Sequence, residues 1–146
     1  MNFSAHARAR ARRYAMQALY QWDLSGTDLK LIRQQFLVNE DFSKADQPYF
    51  MELLSDLPKQ ADVVDQNISG FIDRPFAQLD PVERAILRIA VYELLVRVEI
   101  PYRVVINEAV QLARKFGAEQ GHAFVNGVLD KAAARLRATE YSKRTG

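Results

Sequence analysis

From Ala11 to Leu136, apolar residues return every three or four positions, and few segments alternate with period two. That spacing keeps apolar groups on one face of a helix but would scatter them over both faces of a strand, so it commits the chain to helices. The first stripe is Ala11, Ala15, Ala18, Leu19 and Trp22, ended by Gly26, which can adopt a left-handed cap. Asp28 is placed to cap a second helix carrying Leu29, Ile32 and Phe36. Residues 39–48 are polar, contain Pro48 and read as a loop. A third stripe runs through Phe50, Leu53, Leu54, Leu57, Ala61, Val64, Ile68 and Phe71. Pro58 lies inside it and should kink or split that helix, because proline removes a backbone donor.

The strongest start signal is Asp80-Pro81-Val82-Glu83: a capping acid, a proline at the first helical position and a glutamate at the third. Val82, Ile86, Ile89, Ala90 and Leu94 then face one way, and Pro101 stops or restarts the chain. Val105, Ala109, Leu112, Ala113 and Phe116 form a fifth stripe closed by Gly117, and Val125, Val128, Leu129, Ala132 and Leu136 form a sixth. No repeat of 20 to 50 residues is present. The expected fold is all-α, a single compact bundle of about six or seven helices over residues 1–138, with 139–146 a flexible tail.

A chain of 146 residues has enough length for its own core, and nearly half of its residues are hydrophobic. Cysteine is absent, which excludes a disulfide framework, a thiolate metal site and a cysteine nucleophile. His6 and His122 are the only imidazoles, too few for a multi-histidine metal site. No apolar run approaches the roughly 20 residues of a membrane helix. Residues 1–22 are rich in Arg and Ala without an acid, the composition of a transit peptide, but their apolar stripe is continuous with the arginines and reads as part of the fold. There is no glycine-rich phosphate loop, no nucleophile elbow and no His-Glu-x-x-His. Glu83, Glu93 and Glu108 read as ordinary helix carboxylates, and Glu83 already has a capping role. Neither enzyme chemistry nor a cofactor is expected.

Charge is distributed unevenly. Residues 1–20 hold four arginines and no acid, residues 131–146 hold five bases and one acid, and residues 21–130 hold 11 bases and 17 acids. An acidic body with two basic ends points to an anionic partner. At 100° per residue, Arg10, Arg13, Gln17 and Tyr20 fall opposite the Ala11–Trp22 stripe, with Arg8 and Arg12 at its margin. Arginine pairs with phosphate and stacks on bases, and a tyrosine on the same face adds a stacking surface, so this strip has the chemistry of a single-stranded RNA contact. The competing reading is a solvated basic face.

Two longer strings narrow the choice. Asp80 to Leu95 reads DPVERAILRIAVYELL, and Val104 to Ala132 reads VVINEAVQLARKFGAEQGHAFVNGVLDKA. With the Arg-rich start leading into Ala18-Leu19-Tyr20-Gln21-Trp22, the chain closely resembles the NusB family of bacterial transcription antitermination factors over about residues 8–137. The resemblance implies a small, cytoplasmic, all-helical RNA-binding adaptor. Such an adaptor pairs with NusE, a small-subunit ribosomal protein, binds boxA RNA in ribosomal RNA leaders, and helps build an RNA polymerase complex that passes terminators.

The resemblance also assigns residues. It places the basic RNA contact on Arg8, Arg10 and Arg12, with Arg13 an added base. Tyr20 falls near both the RNA and the NusE surfaces, Phe124 and Asn126 near the RNA, and Phe71 and Glu83 on the face that meets NusE. Ala9 and Ala11 interleave arginines that are often consecutive in the family. Beside these roles stand structural ones: Phe71 and Phe124 as core, Glu83 as cap, Asn126 as a loop bridge. Two alternatives remain: a protein-only adaptor, in which a homodimer masks the arginines, and the NusB-like domain of an RNA methyltransferase. The second is disfavoured because the chain ends at Gly146 without a cofactor-binding sheet.

Overall fold

A computed structural model describes residues 4–145, with the side chains of residues 40, 144 and 145 outside the description. The described residues form α-helices joined by turns and three short 3-10 segments, with no strand among them. The chain divides into two compact units, Met1–Lys59 and Gln60–Gly146.

The first unit holds α1 (Ala5–Ser25), α2 (Leu29–Leu37) and α3 (Gln47–Asp56). Each starts on a side-chain cap. Ser4 accepts from the Ala7 N–H at 3.0 Å, Asp28 from Lys30 at 2.8 Å and Asp46 from Tyr49 at 3.1 Å. Gly26 ends α1 at φ 70°, a conformation that suits a residue without a Cβ, and its N–H returns to the Trp22 carbonyl. Ala11, Ala15, Ala18 and Leu19 are fully buried as the stripe requires, whereas Trp22 is only half-buried. A ring cluster fills the space beside them: Tyr14, Phe36, Phe42 and Phe50, with centroids 4.8–5.7 Å apart. Phe42 reaches this core from a 3-10 turn, Glu40–Lys44, inside the stretch expected to be loop.

Pro58 splits the third stripe. A 3-10 turn, Pro58–Gln60, separates α3 from α4 (Ala61–Ser69), and the boundary between the two units falls there. The second unit continues with α5 (Pro81–Val96), α6 (Tyr102–Phe116), α7 (Gly121–Leu136) and α8 (Ala138–Thr145). That makes seven helices of nine or more residues and a shorter eighth among the described residues. Asp80 caps α5 by accepting from the Val82 and Glu83 N–H groups, both at 3.1 Å. Helix α5 is buried on every side from Ala85 to Leu94, and α4, α6 and α7 pack around it. Arg88 is admitted to this core by a two-point bond to Asp65, at 2.9 and 3.0 Å.

The C-terminal segment is helical where a flexible tail was expected. Arg137, 8 % exposed, donates to the carbonyls of Glu93, Leu94, Arg97 and Ile100 at 2.8–3.1 Å. These include carbonyls at the end of α5 that have no helical partner. Glu140 accepts from Arg137 at 2.7 Å and from the Tyr102 N–H at 2.9 Å, capping α6, whose own N-cap is a proline. Tyr141 donates to Asp130 and lies 5.3 Å from the Tyr102 ring. Of the expected tail, Gly146 and the side chains of Arg144 and Thr145 lie outside the described residues. Among the described residues no helix is long and apolar enough to cross a membrane.

Candidate nucleic-acid interface

The N-terminal arginines divide by their angle on α1. Buried residues Ala7, Ala11, Arg12, Tyr14, Ala15, Met16, Ala18 and Leu19 occupy an arc of about 200° at 100° per residue. Arg10, Arg13, Gln17 and Tyr20 occupy the remaining open arc, all half-exposed. Arg10 and Tyr20 make no hydrogen bond or ion pair among the described residues. Arg13 lies 4.9 Å over the Tyr14 ring and donates to its hydroxyl at 3.2 Å.

Arg8 and Arg12 are not at the margin but inside the buried arc: Arg8 falls within the angle of the apolar stripe itself, and Arg12 beside it, in the wider arc that Met16 extends. Arg12 is 4 % exposed, with its guanidinium 5.7 Å over the Tyr49 ring. Arg8 lies 4.3 Å over the same ring and donates to Asp46 at 3.2 Å. Asp46 is 2 % exposed, caps α3, and also donates its N–H to the Ala7 carbonyl at 2.9 Å. Arg8 therefore compensates a buried carboxylate, and both guanidiniums stack on one tyrosine. The sequence marks neither partner, since Asp46 and Tyr49 lie nearly forty residues away.

In the second unit the structure brings Phe71 and Phe124 together. With Ile72, Asp73, Arg74, Gly127 and Lys131 they line a cleft of about 190 Å³. Arg74 lies 4.5 Å over the Phe124 ring, with its Nε 3.6 Å from Asp73. Asn126 is exposed on α7 but does not line the cleft. No sequence signal marks Arg74, which stands in an irregular connection, and Lys131 reads there only as one of the basic C-terminal residues.

Glu83 is 6 % exposed. Its carboxylate accepts from the Ala118 N–H and packs against Gly121, where an added Cβ would come within 2.5 Å of Oε2. The α6–α7 turn thus closes onto the first turn of α5 through a glycine. Burial pushes the Glu83 carboxyl above its ordinary value, and the Asp80 charge adds to this; Arg74 and the Ala118 N–H oppose it. A carboxylate so placed holds a turn, and its access to a protein partner is small. Among the described residues no group of three or more His, Asp and Glu is arranged to hold a metal.

The sequence matches the model of the NusB family over residues 9–134. It is 51 % identical to the transcription antitermination protein NusB of Nitrosococcus oceani over 140 residues, covering 96 % of this chain and 94 % of that one. It is 49 % identical to the protein of the same name from Alcanivorax borkumensis, covering 94 % of this chain and 92 % of that one. The fold resembles that of T. maritima NusB, with a TM-score of 0.79 at 28 % identity over 92 % of this chain and 96 % of that one. It also resembles a chain in a crystal structure of antitermination factors NusB and NusE with double-stranded RNA, with a TM-score of 0.74 at 28 % identity, covering 88 % and 97 %. With a helical fold, an arginine-bearing first helix and a sequence match over most of its length, the chain belongs to the NusB family.

Proposed function

We propose that this chain is a transcription antitermination factor. It binds boxA-type single-stranded RNA in ribosomal RNA leader transcripts together with NusE and helps assemble a terminator-resistant RNA polymerase complex. The reading places it in the cytoplasm and assigns it no covalent chemistry and no cofactor. What supports it most directly, in a chain of this family, is the open arc of α1. Two guanidiniums and a tyrosine share one face there, without a carboxylate bonded to any of them among the described residues.

Arg10 and Arg13 pair with phosphates in this reading, and Tyr20 stacks on a base or meets NusE. Arg8 keeps one edge open, whereas Arg12 acts by holding α1 against Tyr49. Asn126 offers an exposed amide to the RNA, Phe71 faces a partner, and Glu83 acts by holding the α6–α7 turn. Two or three phosphate contacts give weak, salt-sensitive binding, which NusE strengthens by adding its own surface to the same strand. The acidic excess of residues 21–130 speeds encounter with a basic ribosomal protein.

The test is fluorescence anisotropy with labelled boxA-like RNA, a scrambled strand and a duplex, with and without NusE, at two salt concentrations. Selective binding to the boxA-like strand that tightens with NusE is expected. Equal binding to all three, or none with NusE present, would overturn the reading in favour of a protein-only adaptor. A homodimer that buries Arg10 and Arg13 would do the same.

A further inference from the structure

The first unit holds a cleft of its own between the start of α2 and the end of α3, and we propose that it binds a compact oligophosphate, either the phosphate tail of a free nucleotide or a chain of inorganic phosphate. The inference does not depend on the RNA-binding reading. The cleft holds about 360 Å³, within the range of small-ligand sites. Lys30 and Arg33 line it from α2, and Ser55 and Lys59 from the end of α3 and the turn that follows. Lys30 and Arg33 stand three residues apart, about 4.5 Å along the axis, so both cations reach one opening.

The anchor is Arg33. Buried or half-buried arginines elsewhere in this fold meet a carboxylate or backbone carbonyls, as Arg8, Arg88 and Arg137 do. Arg33 is half-buried, yet it makes no hydrogen bond, ion pair or ring contact among the described residues. Nor do the ammonium groups of Lys30 and Lys59. Asp28 is the one acid on the wall, and its carboxylate is engaged as the cap of α2, accepting from the Lys30 N–H at 2.8 Å. The charged lining residues therefore sum to a net excess of two positive charges, in a part of the sequence where acids outnumber bases.

The surroundings select among anions. Helix α2 meets α1 through Phe36 at Tyr14, and α3 meets it through Tyr49 at Arg8 and Arg12. The cleft between α2 and α3 thus lies behind α1, away from the open arc of Arg10, Arg13 and Tyr20, and a strand on that arc does not pass it. No ring lines the cleft, so an RNA base finds no stacking platform there. Its apolar wall is Leu29, half-buried, and Leu54, 6 % exposed, which leaves little surface to anchor a peptide. A single phosphate or carboxylate would leave cations unanswered. An oligophosphate supplies several charges in a small volume, with paired oxygens for the Arg33 fork, point charges for the two lysines and an acceptor for the Ser55 hydroxyl.

Calorimetry on the full chain at fixed ionic strength, with tripolyphosphate, ATP, AMP and orthophosphate as probes, tests this. Tripolyphosphate and ATP should bind, with AMP and orthophosphate weaker by roughly tenfold or more. Tighter binding of ATP assigns the site to a nucleotide, and tighter binding of tripolyphosphate to an inorganic chain; either supports the proposal. Arg33→Ala should weaken binding by roughly tenfold, and Lys30→Ala and Lys59→Ala by about threefold each. The double change Arg10→Ala and Arg13→Ala should leave it unaltered. Backbone amide shifts on titration should centre on Lys30, Arg33, Ser55 and Lys59.

No binding of tripolyphosphate or ATP by the parent chain overturns the proposal. Binding that survives Arg33→Ala but is lost in the Arg10 and Arg13 double variant assigns the anion to α1 and overturns it too. A single-stranded RNA or a glutamate peptide that shifts the same amides and binds more tightly than either oligophosphate overturns the choice of ligand.

Discussion

At the N-terminal end of the chain Arg10 and Arg13 stand on the open arc of α1, and no carboxylate answers them among the described residues. At the C-terminal end Arg137 is buried on four backbone carbonyls, with Glu140 at its remaining edge. In sequence the two ends look alike: each is a short segment with a net excess of four positive charges. In the fold one end keeps charge available to a ligand and the other uses it to finish the ends of two helices. The same division recurs within α1, where Arg8 and Arg12 go to Asp46 and Tyr49. Net charge therefore does not identify a binding surface; what already neutralises each cation does.

The comparison is broken most severely at Arg137. Arg137→Ala would leave carbonyls at the end of α5 unsatisfied and Glu140 without its cation, at a cost of about 3–5 kcal/mol. Urea denaturation should show this, and RNA affinity measured on the folded fraction should not change. A cost below about 1 kcal/mol would mean that α8 is not held by this network.

Leu129→Ala, in the fully buried stripe of α7, should cost about 2–5 kcal/mol by the same measurement. A melting temperature equal to that of the parent would show that α7 is not packed as described.

The opposite end should behave in the reverse manner. The double change Arg10→Ala and Arg13→Ala should leave stability within about 0.5 kcal/mol, as half-exposed positions do. It should also lower the salt slope of RNA binding by about 1.4, or 0.7 for each phosphate that is no longer neutralised. Arg12→Ala serves as the contrast: it should lower the melting temperature and leave the salt slope unchanged. If Arg12→Ala instead matches the double variant, the division of the α1 arginines is wrong.

The smallest effect is on pH dependence, and the two carboxylates of the second unit have opposite signs. The folded-state value of Glu83 is raised above 4.5 by burial and by Asp80, so the native state binds the extra proton. Its contribution to stability therefore falls as pH rises from 4.5 through the raised value. Desolvation pushes Glu140 upward too, but the Tyr102 N–H and Arg137 outweigh it and hold the carboxyl below 4.5. Its contribution is present above 4.5 and is lost as pH falls through the lowered value. Glu83→Gln should flatten the mildly acidic side of the stability profile, and Glu140→Gln the strongly acidic side. Denaturation midpoints from pH 3 to 7 would reveal an interchange of the two.

Much of the fold was legible because it rests on local rules. Asp28 and Asp80 cap the helices they were expected to cap, Gly26 ends α1, Pro58 divides its stripe, and Pro101 restarts the chain. The all-α class follows from the same periodicity. The misreadings are of one kind. Phe42 enters the core from a segment that looks polar, because a single 3-10 turn suffices to aim one ring. Residues 139–146 look frayed in the sequence because Tyr102, against which Glu140 and Tyr141 are held, lies nearly forty residues away. At the candidate site, the open face with Arg10, Arg13 and Tyr20 is readable from angle alone. Arg74 is not, because its place over Phe124 depends on how an irregular connection meets α7.

By itself the sequence determined the helical class, the places where most helices begin and end, the family and the two basic clusters at the ends of the chain. These follow from interactions within a few residues: periodicity, caps, and proline and glycine geometry. Only the tertiary structure decided which of those arginines remain free. It did so by bringing Asp46 and Tyr49 to α1, by seating Arg137 on α5, and by closing a cleft between Phe71 and Phe124. The physical reason is that the charge of a guanidinium is compensated by whatever carboxylate or set of backbone carbonyls lies within a few ångströms of it, and proximity of that kind between distant residues exists only after the chain has packed.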